Sequence, residues 1–231
     1  MIRFFISASI LALLLVTSAK AQSLPINLLP MFGEVEKTEA MKAMDTAFIL
    51  SIQQTYPSRK EGSKQVQKIG WAQWQQGDKL TAMLRFNQAW LLDPENGDTY
   101  HGFALVISSR GGLPSEVERL FKIAVSKPDV AEVALVDYGR FLWTQKRLDE
   151  SMVQLNQAIN ISSTAFNARS NISFIYFLKG DFVSACQWAK DAKKNKDELE
   201  KGYLEDMCDR AKLSGLAHGQ AVMANALPAV R

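Results

Sequence analysis

Two histidines, His101 and His218, and two cysteines, Cys186 and Cys208, are the side chains here best suited to proton transfer, nucleophilic attack or metal ligation near neutral pH. Their number and spacing exclude the common catalytic sets. A helical HExxH zinc site needs two histidines four residues apart, and these two are far separated. His218 falls in a stretch without a periodic apolar face, which leaves one histidine for any serine or cysteine triad. Two thiols alone do not complete a metal site. The chain has no GxSxG elbow, no Walker phosphate loop and no GxGxxG turn after a strand. Gly111-Gly112 is too short for a phosphate cradle, and Glu116 and Glu118 read as the solvated side of an amphipathic helix. The expectation is a protein that is not an enzyme and carries no metal and no cofactor.

The cysteines lie symmetrically about residue 197, inside the polar run KKNKDE. If that run turns a helical hairpin, Cys186 and Cys208 stand level on antiparallel helices, and in an oxidising compartment they can form a disulfide. Two buried, reduced thiols are the alternative, because equal height does not decide which faces meet.

The N-terminus bears on which compartment applies. Arg3 precedes an apolar run from Phe4 to Val16, and Ala19-Lys20-Ala21 offers small residues where a signal peptidase reads them. Residues 1–21 are therefore expected to be a signal peptide, and the protein to be exported, periplasmic or secreted. An uncleaved anchor is the other reading, but the run is shorter than the roughly 20 apolar residues a spanning helix needs. No other stretch is long and apolar enough to span a bilayer. Arg3 and Lys20 lie in the leader, so 25 basic residues face 24 acidic ones after cleavage. That balance argues against a nucleic-acid partner.

Groups that only recognise must be held by a scaffold, and the pattern is helical throughout. Residues 22–57 read as a linker and a capping helix. Met41, Met44, Phe48, Ile49 and Ile52 recur at three- and four-residue steps, and Tyr56-Pro57 ends the run. Ser58, with Glu61 three residues on, opens the next helix as a capping box. The chain then repeats itself over residues 58–196. Gly77-Asp78 turns into a helix carrying Ala82, Phe86 and Ala89, and Gly180-Asp181 into one carrying Ala185, Ala189 and Ala192. Val117, Phe121 and Ala124, and Ser151, Leu155 and Ala158, keep the same steps between them. Leu199, Tyr203, Met207 and Ala211 give 197–213 the look of a C-terminal capping helix, and residues 214–231 are expected to be a disordered tail.

These copies resemble the tetratricopeptide repeat, whose period is about 34 residues in paired helices. Aligned so, repeats begin near Ser63, Gly97, Glu132 and Phe166. Each first helix has the small residue the family requires (Gly70, Ala104, Gly139, Ser173) behind a bulky one (Ile69, Phe103, Tyr138, Ile172). Departures are the absence of tryptophan at the usual early position, an extra residue near Gly111-Gly112, and Lys146 where the third copy lacks its turn glycine. The resemblance implies an all-α fold: a right-handed α-solenoid of about four tetratricopeptide-like helix pairs with N- and C-terminal capping helices.

It also implies a concave groove lined by the first helices. The matching positions include Trp71, Trp74, His101, Leu105, Arg140, Trp143, Phe174 and Phe177. Aromatic rings of this density suit an apolar anchor on a partner protein or peptide segment. An envelope glycan stacked on the tryptophans is the alternative, and it requires rings open beside polar groups such as Gln75, His101 and Arg140. A third reading is that the protein's own N-terminal segment fills the groove, or that some of these residues are core. The carboxylate clamp of some family members does not carry over, since Gln67, Trp71, Gly102, Val133 and Asp137 stand at its positions and none is a cation.

Overall fold

The computed structural model describes residues 24–226, with side chains described as far as Ser214. Among the described residues it is all-helical. Helix α1 (Glu39–Thr55) leads into four antiparallel pairs: α2 (Arg59–Gln75) with α3 (Lys79–Leu92), α4 (Gly97–Ser109) with α5 (Pro114–Ser126), α6 (Glu132–Thr144) with α7 (Leu148–Ile161), and α8 (Ala168–Leu178) with α9 (Phe182–Lys194). Helix α10 (Tyr203–Ala226) closes the array against α9. The pairs stack into a tetratricopeptide-like solenoid.

Local chemistry sets the element ends. Ser58 accepts the Glu61 N–H at the start of α2, and Asp78 and Asp181 do the same for Thr81 and Ser184 at α3 and α9. Within each of the four pairs the turn places a residue at positive φ: Gly77, Gly111, Gly180 and, in the third pair, Lys146. A side chain at that conformation is strained, so the missing glycine is a cost the third repeat carries.

Close approach at the small positions holds each pair together. A Cβ on Gly70 would stand 2.8 Å from Phe86, and one on Gly139 would stand 2.8 Å from Leu155. Ser173 reaches the same closeness with a hydrogen bond, its hydroxyl donating to the Ala185 carbonyl across α8 and α9 at 2.8 Å. Phe103, Tyr138 and Ile172 fill the layers between helices. Ile69 does not. It is 46% exposed, because α1 covers α2 through Val66, using Phe48, Ile49 and Ile52.

Two boundaries differ from the sequence expectation. The capping helix starts at Tyr203 rather than at 197, since Gly202 sits at positive φ and Asp197 is taken up elsewhere, accepting the Arg169 and Ser170 N–H groups at the start of α8. It then runs past residue 213 to Ala226, so the expected disordered tail is helical backbone over that stretch. The signal peptide expected at 1–21 lies outside the described residues. No helix among those described is long and apolar enough to cross a membrane.

Candidate functional site

The first helices α2, α4, α6 and α8 line the groove, and two clefts open along it. The middle cleft, about 300 Å³, is walled by Trp74 from α2, Leu105 and Ser108 from α4, Phe121 from α5, and Asp137, Arg140, Phe141 and Thr144 from α6. The second, about 280 Å³, lies at the cap end between Trp143, Ser170, Asn171, Phe174 and the segment Glu198-Leu199-Glu200 with Tyr203.

The eight residues singled out by the repeat register therefore divide. Trp74, Leu105 and Arg140 meet in the middle cleft, and Trp143 and Phe174 in the cap-side cleft. Trp71 is turned into the core, edge-on to Phe86 at 5.1 Å and over His101 at 4.9 Å. His101 is only 1% exposed and forms the groove floor. Phe177 packs toward the cap joint, against Phe182 and beneath Arg210. Repeat register gives a side chain's direction but not its depth, and large neighbours on both sides cover positions 71 and 101. With His101 buried and Trp71 packed on it, the open ring beside polar groups that sugar stacking requires does not form there.

The floor is a chain of buried polar contacts crossing three helices. Asn96, which caps α4, donates to Ser63 at 3.0 Å and to Gln67 at 2.6 Å. Gln67 donates to Asp98, and His101 follows, with Nε2 at 2.8 Å from Asp137 Oδ2 on α6. Its Nδ1 faces Asp98 Oδ1 at 3.7 Å, beyond hydrogen-bond reach. Burial pushes the imidazole pKa down, but the Asp137 hydrogen bond and the nearby carboxylates of Asp137 and Asp98 outweigh it and hold His101 above its ordinary value. Both carboxylates remain partly open to the groove.

The cap-side cleft is built from fixed rings. Trp143 Nε1 donates to Asn171 Oδ1 at 3.0 Å, and its ring stands edge-on to Phe174 at 5.0 Å. The Tyr203 hydroxyl meets Ser173 Oγ at 3.1 Å, and burial raises the phenol's pKa. The Glu198 N–H donates to Asn167 Oδ1 at 2.8 Å, which pins the cap segment to α8. The repeat register missed this wall, because Leu199 was in step with the face of the capping helix. Gly202, a breaker inside that supposed helix, was the available signal.

The N-terminal segment takes another path. Phe32 N–H donates to Asn87 Oδ1 on α3, whose amide donates in turn to the Asn27 and Leu29 carbonyls. Arg110 donates to the Leu28 carbonyl, and Arg119 on α5 pairs with Glu34. Met31 is buried in the core beside these contacts. The segment is strapped to α3, the C-terminal end of α4, and α5, and among the described residues none of its hydrogen bonds reaches α2, α6 or α8.

Cys186 on α9 and Cys208 on α10 are disulfide-bonded, with Cα atoms 4.7 Å apart. Among the described residues no three metal-ligating side chains cluster.

No protein-family model and no curated protein matches the sequence. Solved structures do match in fold. A structure from the functional characterisation of PilF of Pseudomonas aeruginosa superposes with a TM-score of 0.61 at 18% identity, covering 67% of this chain and 71% of that one. A chain from the Naa15/Naa10 complex bound to HypK-THB gives 0.53 at 15%, covering 73% of this chain and 26% of that one. MamA gives 0.50 at 15%, over 70% of this chain and 96% of that one. At these identities the likeness shows the fold.

Proposed function

We propose that this is an exported interaction scaffold, without catalytic activity, that holds a segment of another protein in the groove formed by α2, α4, α6 and α8. The observation that carries the reading is the route of the N-terminal segment. It is strapped to α3, the C-terminal end of α4, and α5, and none of residues 24–57 lines either cleft, so the described part of the N-terminal segment does not fill the groove. Export is supported by the leader-like first residues and by the Cys186–Cys208 bond, which an oxidising compartment maintains. Binding is supported by Trp74, Trp143 and Phe174, large rings that are half-buried and held in place, the kind of anchor that dominates protein interfaces.

The test is capture from an extract of the source cells by residues 22–231, beside a Trp74→Ala/Trp143→Ala double variant shown by circular dichroism to remain folded. A protein retained by the wild type and lost by the variant is expected. Equal retention by both would move binding off this groove.

A further inference from the structure

The cap-side cleft has charge of one sign. Glu198 and Glu200 stand exposed on its rim, and no lysine, arginine or histidine is among the residues that line it. Lys196 and Lys201 flank the segment in sequence, but neither lines the cleft. The ion pairs of the cap lie further along α10, Arg210 with Asp206 and Lys212 with Asp209. Behind the two carboxylates are three fixed rings, Trp143, Phe174 and Tyr203, and the aliphatic Leu199.

We infer that this cleft receives a lysine or arginine side chain of the partner segment. The inference rests on the groove reading above and names the chemistry of one end of the bound segment. The aliphatic stem of the basic residue lies along Leu199 and Phe174, as long cationic side chains do on apolar surface. Its head sits against the aromatic rings, where a cation is attracted by the ring quadrupole, with Glu198 and Glu200 completing the charge balance. An apolar partner residue would cover the same rings but would leave the two rim carboxylates without an opposite charge. An acidic one would be repelled. The middle cleft makes no such demand, because Asp137 and Arg140 both line it.

The probe is Nα-acetyl-lysine methylamide, with the uncharged norleucine analogue as control, followed through the indole N–H resonance of Trp143 in the full mature chain. The lysine compound is expected to shift that resonance saturably and the norleucine compound to leave it in place. Glu198→Gln/Glu200→Gln is expected to weaken the lysine response about fivefold, the scale of two exposed ion pairs. An equal response to both compounds, or an unchanged response in the double amide variant, would overturn the inference. Selection of a random peptide display library on the same protein separates this claim from the one beneath it. Peptides enriched in lysine or arginine, with the enrichment lost in the amide variant, support both. Selected peptides without basic enrichment overturn the inference and leave the groove reading standing. No selected peptide, with the lysine probe still bound, overturns the groove reading and leaves the cleft assignment standing.

Discussion

Replacing Gly102 by alanine tests the packing that spaces the groove. Phe86 of α3 lies fully buried between α2 and α4, and a Cβ at residue 102 would come within 2.5 to 2.7 Å of three atoms of its ring. Ordinary carbon contacts are about 3.5–4.0 Å, so the ring must move by about 1 Å. It cannot retreat toward α2, where a Cβ at Gly70 would already be 2.8 Å from the same ring, and Trp71 and Phe103 stand edge-on to it. Overpacking of this kind costs about 1–3 kcal/mol, and the tightness here places it near the upper end. Alanine recovers about 1 kcal/mol over glycine in a helix interior, leaving a net loss of about 2 kcal/mol. For a chain of this size that is a fall in Tm of about 4–8 °C. Thermal and urea unfolding by circular dichroism would measure it. The companion variant Gly102→Ala/Phe86→Leu should lose less than the sum of its single changes, because the shortened side chain removes the clash. Gly102→Ala as stable as the wild type, or more stable, would refute the placement of Phe86 between the two first helices.

Two further outcomes follow from the same contacts. Cys208→Ser removes a cross-link closing a loop of 22 residues and should cost about 3 kcal/mol, read as a lowered Tm that the wild type reproduces under reductant; a melting curve indifferent to reductant would contradict a role for the bond in holding α10. His101, held above its ordinary pKa by Asp137 and Asp98, contributes stability that is full below its unfolded value of 6.5 and is lost as pH rises through the raised folded value. The urea stability of the wild type minus that of His101→Gln should therefore shrink from pH 6 to pH 9, and a difference that grows with pH would show that burial, not the carboxylates, governs the imidazole.

The repeat was legible because its constraints are local and recur. The glycine-aspartate turns and the three- and four-residue steps announce paired helices, and the small residues at 70, 104, 139 and 173 mark where those helices touch. Lys146 is instructive, since the register placed it where a glycine belongs and the backbone takes the left-handed conformation there regardless. What sequence could not give was depth and long-range pairing. His101 occupies a groove position by register, yet Trp71 and Phe121 close over it, which depends on a residue one repeat earlier and on one from the paired helix α5. The strap on α3 depends on Asn87, an unremarkable polar residue on a helix whose amide turns out to bind three backbone groups of a segment about 60 residues earlier. The cap-side wall was hidden for a similar reason. Asp197 looks like the start of a helix, and its carboxylate instead caps α8, drawing Glu198 to Glu200 across the groove.

The central claim is that a partner lies along the first helices, and site-specific photocrosslinking reads it most directly. A benzophenone amino acid at Ser108, in the middle cleft, should yield a covalent adduct with the partner in the source cells, and the same group at exposed Lys190 on the second helix α9 should not. Adducts from position 190 with none from position 108 would contradict the account and place the binding surface on the second helices.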